Sequence, residues 1–232
     1  MMVDFKVIHF ECIDSTQREA RRRKEAGTLL VAKEQTKGKG RFSRVWHSSA
    51  GGLYFTLTLA APSKGIHLMP LFVSVVLHNT LTSLTGVTCS IKWPNDILIE
   101  GKKVAGILSE TSLSSDEGLV YIGVGVNTNN TLPRNLQNTS ITFRTLLGRS
   151  LSNTQVLRSF LNHFRSSYKN FLNIRAWMPY YRNHCSTLGE IITVKTGKTK
   201  HTGKVVGLTS EGFLILLQRG KRKIIADGTI LV

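Results

Sequence analysis

The sequence predicts an α+β protein: a mixed or antiparallel sheet packed by helices, followed by a small all-β, barrel-like C-terminal domain. Three observations lead to this reading. Short apolar runs at 29–32, 53–60, 97–99, 103–108 and 119–126, bounded by polar or glycine-rich residues, read as strands. Stretches at 17–26, 68–84, 156–171 and 177–182 carry a helix-start signal or helical spacing of apolar residues. From about Cys185 the texture changes to short strands with turn signals every several residues, the pattern of a compact β domain. A chain of 232 residues can bury a full core and add an appendage, so the expected division is 1–184 and 185–232.

Ile8–Ile13 reads as the first strand and leads into Asp14-Ser15-Thr16. Thr16 and Glu19 make a capping-box pattern, so a helix is expected from about Gln17 to Ala26, stopped by Gly27. Arg18, Arg21, Arg22, Arg23 and Lys24 cover nearly all of it, as a solvated basic face does. The hydroxyls of Ser15 and Thr16 either cap this helix or point into a ligand pocket.

Between two strands lies Gln35-Thr36-Lys37-Gly38-Lys39-Gly40-Arg41-Phe42-Ser43-Arg44-Val45-Trp46. Gly38 and Gly40 let the backbone approach a ligand closely, and Lys39, Arg41 and Arg44 set cationic donors beside exposed N–H groups. Such a loop suits a phosphate or a carboxylate, or is simply a basic surface loop.

Leu53–Ala60 alternates as a half-buried strand should, and Leu68–Leu84 is a helix ended by Gly86. His67 and His78 lack a ligand-spaced partner and read as surface or helix-end histidines. A strand at 87–92 precedes Trp93-Pro94-Asn95-Asp96, where Pro94 fixes its own φ and keeps Trp93 out of the helical region. Glu100-Gly101-Lys102 signals a hairpin turn, which brings Asp96 and Lys103 onto paired antiparallel strands. Those two side chains are either a surface ion pair or the working pair of an active site. Gly123 and Gly125, on one face of Leu119–Val126, leave room for something to lie against that strand. An extended loop follows at 128–142, and the tail strands are read at 191–194, 203–207, 213–216 and 223–225.

A hydrophobic fraction of 41% with 19% charged residues is that of a folded chain. No uninterrupted apolar run approaches a membrane span, and the N-terminus lacks the order of a signal peptide. Cys12, Cys89 and Cys185 are scattered, which argues against a disulfide framework or a zinc site and for a reducing, cytoplasmic setting. The formal charge of +17 attracts nucleic acid, acidic proteins and anionic substrates alike.

Taken together, the motifs resemble those of the biotin–protein ligase family. Its marks are a Ser-Thr-Asn near the first helix, a Gly-Arg-Gly-Arg-x-Gly-Arg-x-Trp loop, Lys-Trp-Pro-Asn-Asp, Lys-x-Ala-Gly-Ile-Leu and Gly-x-Gly-x-Asn. Here they stand, in the same order, as Ser15-Thr16-Gln17, Gly38 to Trp46, Lys92 to Asp96, Lys103 to Leu108 and Gly123 to Asn127. Lys39 replaces the usual Arg, Ser43 the usual Gly and Gln17 the usual Asn. Lysine keeps the charge of arginine but loses its bidentate fork. The chain begins at what resembles the catalytic region, so no N-terminal helix-turn-helix and no specific DNA binding are expected.

The resemblance implies that 1–184 is a catalytic domain that joins biotin to ATP as biotinyl-AMP and then to a lysine of a biotin carboxyl carrier domain. It implies Lys103, Arg41 and Asp96 as catalytic residues. Biotin contacts fall to Ser15, Thr16, Gln17, Gln35, Gly38, Lys39, Gly40, Arg41, Lys103 and Gly106. Contacts to ATP and the adenylate fall to Lys39, Arg41, Arg44, Trp46, Asn95, Lys103 and Asn127. Mg²⁺ is expected alongside ATP, with no protein metal site; no membrane partner is expected, and a homodimer stays open. The rival readings are a lipoate or octanoyl transferase of the same fold and a basic nucleic-acid-binding protein, the latter favoured by charge and by Arg219, Lys221, Arg222 and Lys223.

Overall fold

The computed structural model describes residues 5–112 and 118–231. In chain order the elements are β1 (Lys6–Ile13), α1 (Thr16–Arg23), β2 (Thr28–Gln35), β3 (Leu53–Ala60), α2 (Met69–Thr85), β4 (Ser90–Lys92), β5 (Asp96–Ile99), β6 (Lys102–Ser112) and β7 (Leu119–Val126). They continue as α3 (Phe143–Leu147), α4 (Asn153–Tyr168), α5 (Ile174–His184), β8 (Ile191–Thr196), β9 (Thr199–Leu208), β10 (Leu214–Gln218), β11 (Lys221–Ile225) and β12 (Thr229–Leu231). Among the described residues β1 to β7 form a seven-stranded sheet in the order β1-β2-β3-β7-β6-β5-β4, and β8 to β12 a five-stranded one in the order β11-β10-β9-β8-β12. The first is mixed, with β1 and β2 parallel and the other pairs antiparallel.

Period-two alternation decides what each face of the large sheet carries. Leu53, Phe55, Leu57 and Leu59 of β3 and Val120, Ile122, Val124 and Val126 of β7 enter the core on one face. There Phe55 meets Phe160 of α4 edge-on, and Phe72 of α2 gathers Phe164, Tyr168, Phe171 and Trp177 around it. The opposite face carries Thr56, Gly123 and Gly125, and α1 covers part of it through Ala20, Leu30 and Tyr121. Small residues on that face leave the concavity in which the site is built.

Ile66–Thr85, containing α2, has the length and apolarity of a membrane span, with mean hydropathy 1.4, but 61% of that window is buried in the core. α1 ends at Arg23 rather than near Ala26, because Lys24 turns left-handed at φ 52 and its N–H bonds Ala20 O. The five basic side chains of that segment do not form a bare cationic face. Arg18 and Arg22 pair with Asp14, Arg22 and Arg23 with Glu19, and Arg21 with Glu110. His78 is buried rather than superficial: its Nδ1 meets the Tyr180 hydroxyl at 3.0 Å and its Nε2 the Cys89 carbonyl at 2.9 Å. The short strand β12 and the polar start of β9 also lie outside the segments expected from sequence.

Candidate active site

The N-terminus of α1 opens onto the concave face. Ser15 is its N-cap, its Oγ accepting from Arg18 N at 3.4 Å. Thr16 N and Oγ1 both donate to Gln35 Oε1, at 2.8 and 3.1 Å, and Gln35 Nε2 donates to Ser48 Oγ at 2.8 Å. Thr56 Oγ1 lies 2.9 Å from Thr16 Oγ1 and 3.2 Å from Gln17 Oε1, while Gln17 Nε2 reaches Glu110 and the Tyr121 carbonyl, each at 3.2 Å. Ser15, Thr16, Gln17 and Thr56 are all buried, so the pocket has a floor of fixed donors and acceptors. A ligand with a polar head can exchange its water for these groups.

The glycine-rich loop folds over this floor. Gly38 O accepts from Trp46 N at 3.0 Å, and a Cβ at Gly38 would overlap the Trp46 carbonyl oxygen and Ser48 Oγ. At the tip, Phe42 (φ 55) and Ser43 (φ 59) both take the left-handed conformation. Lys39, Arg41 and Arg44 are held by different parts of the fold. Lys39 Nζ lies 2.7 Å from Glu110 Oε1 on β6; Arg41 donates to Asn95 Oδ1 at 2.9 Å and to the Asp227 carboxylate; Arg44 donates to Thr229 Oγ1 at 2.9 Å. Burial pushes the Glu110 carboxyl up, but the hydrogen bonds from Lys39 and Gln17 and the charges of Lys39 and Arg21 outweigh it and leave it below its ordinary range.

The hairpin β5–β6 supplies the second wall. Its turn uses Glu100 (φ 50) and Gly101 (φ 75). A register shift between Ile97 and Leu98 brings Lys103 back toward Asp96, and Lys103 Nζ lies 2.7 Å from Asp96 Oδ1. The same ammonium stands 5.1 Å from the centre of the Trp46 ring. Trp46 is seated because its neighbours lack side chains: a Cβ at Gly125 would overlap its Nε1, and one at Gly106 would come within 3.2 Å of its Cζ3. The Trp93–Pro94 peptide is cis. Asn95 Nδ2 donates to the Ile107 carbonyl at 2.5 Å, which fixes the amide that Arg41 meets. Asn127, at the end of β7, bonds Val104 O through its N–H at 2.8 Å and accepts from Asn130 Nδ2 at 3.2 Å.

These walls enclose a cavity of about 470 Å³. It brings together Ser15, Thr16, Gln17, Gln35, Lys39, Gly40, Arg41, Arg44, Trp46, Asn95, Asp96, Lys103, Gly106 and Asn127. Gly38 lies behind the wall, where its role is the close approach to Trp46 and Ser48. Sequence reasoning left Glu110, Lys92 and the segment Gly228–Ile230 without a role, although Lys92 stands inside the Lys-Trp-Pro-Asn-Asp signature. Glu110 and the segment at 228–230 carry no local signal, because their partners in the loop are far away in sequence. Among the described residues there is no group of three or more His, Cys, Asp or Glu side chains that could hold a metal ion.

Comparison with known proteins places the chain in a family. Residues 9–127 match the model of the Biotin/lipoate A/B protein ligase family, and residues 187–232 that of the Biotin protein ligase C terminal domain. The Bifunctional ligase/repressor BirA of Bacillus spizizenii is 32% identical over 233 residues, covering 94% of this chain and 71% of that protein. The Biotin--[acetyl-CoA-carboxylase] ligase of Paracoccus denitrificans is 30% identical over 214 residues, covering 84% and 86%. A solved structure of the biotin protein ligase from Aquifex aeolicus in complex with biotin and ATP superposes with a TM-score of 0.87 at 31% identity, covering 97% of each chain. The chain therefore belongs to the biotin/lipoate A/B protein ligase family, in the branch that carries a biotin protein ligase C-terminal domain.

Proposed function

We propose that this chain is a biotin–protein ligase that makes biotinyl-5′-AMP from biotin and ATP and passes the biotinyl group to a lysine of a carrier domain. The observation that carries the proposal is the convergence of Lys103, the glycine-loop cations and the polar floor of Ser15, Thr16, Gln17 and Gln35 on one cavity. In the first step a biotin carboxylate oxygen attacks the α-phosphorus of ATP, and the bond to the leaving pyrophosphate breaks. Both reactants are anions, so fixed cationic donors must offset their repulsion. Lys103, Arg41, Arg44 and Lys39 line the cavity and have that charge. The ureido head of biotin offers one acceptor and two donors, which the hydroxyls and amides of the floor match. Mg²⁺ would enter with ATP and neutralise part of the phosphate charge, no cluster of metal-ligating side chains being present among the described residues to hold it.

In the second step the acceptor amine must attack as the neutral base. Asp96, 2.7 Å from Lys103 Nζ, orients it or takes its proton. Asn95 and Asn127 flank the adenylate. The carrier is a biotin carboxyl carrier domain, and the free thiols of Cys12, Cys89 and Cys185 support work in the reducing cytoplasm. A lipoate or octanoyl substrate has no ureido head to pair with the polar floor. A nucleic-acid-binding role is weakened by the carboxylate partners of the α1 arginines. The test is incubation with biotin, Mg-ATP and a carrier domain. A mass increase of one biotinyl group supports the proposal, and no increase with biotin but one with lipoate refutes it.

A further inference from the structure

Five lysines and arginines line the cavity, and four of them already have protein partners: Lys39 with Glu110, Arg41 with Asn95 and Asp227, Arg44 with Thr229, and Lys103 with Asp96. Lys92, the last residue of β4, is the exception: among the described residues its ammonium makes no hydrogen bond and no ion pair. It is half-buried, and its Cα pairs across the β4–β5 ladder with that of Asp96, so the two side chains leave the sheet on the same face. Asp96 has already turned to Lys103.

We propose that Lys92 binds the β- and γ-phosphates of ATP and receives the pyrophosphate as it leaves. The inference rests on the ligase reading of the same cavity. As the carboxylate oxygen bonds to the α-phosphorus, the α–β bridging bond breaks and its electron pair departs with the pyrophosphate. No proton moves, so the charge that grows on the leaving group must be met by a cation that is not spent elsewhere. Lys103, held by Asp96 beside Trp46, meets the α-phosphate and the biotin carboxylate. Lys92 is the cation left for the other end of the triphosphate. Burial, together with the nearby charges of Lys103 and Arg44, pushes the Lys92 amine below its ordinary range, against the opposing pull of Asp96. An unpaired cation desolvated among like charges gains most from an incoming anion.

The test separates the two half-reactions in Lys92→Gln, with Lys92→Met as a second neutral variant that keeps the apolar stem and Lys92→Arg as the conservative one. In biotin-dependent ATP–pyrophosphate exchange the neutral variants raise the KM for pyrophosphate and for ATP by about tenfold or more, the usual worth of a hydrogen bond to a charged group. The KM for biotin and the transfer of biotin from preformed biotinyl-5′-AMP to the carrier domain stay at the parent's values, and Lys92→Arg recovers the exchange. Unchanged pyrophosphate and ATP KM in the folded neutral variants, or a defect confined to the transfer half-reaction, overturns the proposal. Parent protein that shows no exchange at all overturns the ligase reading and this inference with it.

Discussion

Arg41, at the tip of the glycine loop, donates to the carboxylate of Asp227, on the turn before β12, 186 residues further along the chain. The same guanidinium holds Asn95 Oδ1 at 2.9 Å, so a single side chain closes the loop against both the hairpin wall and the C-terminal sheet. In the proposed reaction a mixed anhydride must be kept from water, and a loop held shut by this contact would exclude it. Arg41→Gly is therefore expected to release biotinyl-5′-AMP and to biotinylate bystander lysines, measured by blotting a mixture of unrelated proteins. Asp227 is largely exposed, and such pairs contribute about 1 kcal/mol or less, so Asp227→Ala should raise bystander labelling by about fivefold at most. Bystander labelling by Arg41→Gly no greater than the parent's would contradict the lid role.

The floor of the pocket makes a second prediction. Thr16 Oγ1 joins Gln35 to Thr56; the two threonines are buried and Gln35 is half-buried. Thr16→Val keeps the shape but removes one of two hydrogen bonds on Gln35 Oε1, which keeps the Thr16 N–H, and one of two on Thr56 Oγ1, which keeps Gln17 Oε1, a loss of about 0.5–1.5 kcal/mol. Biotin affinity by calorimetry should fall by about two- to tenfold. An unchanged Kd would mean that biotin does not sit on this floor.

Ser43 explains why the family loop carries glycine at this place. Its φ of 59 is one that L-residues adopt at a cost of about 1–2 kcal/mol. Ser43→Gly removes that cost while adding backbone entropy to the unfolded chain, for a net gain of about 0.5–1 kcal/mol. Calorimetry should show Tm raised by about 1–4 °C. A lowered Tm would show that the serine hydroxyl has an offsetting partner when the loop is closed.

His78 gives the stability a pH dependence of definite sign. Burial lowers its pKa from the ordinary 6.5, against the imidazole's hydrogen bond to Cys89 O that raises it, while the neighbouring charge of His184 lowers it further. The unfolded chain then binds more protons than the folded one between the lowered value and 6.5, so stability falls as pH drops through that window. Tm followed from about pH 7.5 to 5 should decline in the parent and decline less in His78→Gln. Equal slopes would show that the imidazole is solvated in the folded protein.

Local pattern made much of this legible. β7 occupies the residues its alternation predicts, Leu119–Val126, because one face meets the apolar core while the other needs glycine beneath Gln17 and Trp46. The turn at Glu100-Gly101 puts Asp96 and Lys103 on paired strands, but the register shift at Ile97/Leu98 that brings their charges together leaves no mark in the sequence. What stayed hidden depends on distant partners. Glu110 looks like any polar strand residue until Lys39 and Gln17, 71 and 93 positions away in sequence, fold against it. β12 has three residues and no periodicity to read, yet it holds Arg44. The end of α1 was misjudged because Gly27 serves the sheet, its N–H bonding Thr58 O, while Lys24 provides the left-handed stop.

The central claim is that the Lys103 ammonium and the glycine-loop cations act in one pocket on two anions. Biotin-dependent ATP–pyrophosphate exchange by Lys103→Gln tests it most directly, with biotin binding measured on the same sample. Exchange should fall by about a hundredfold or more, the usual effect of removing one fixed donor from developing charge, with biotin still bound. Exchange within about twofold of the parent, a barrier change of less than 1 kcal/mol, would contradict it.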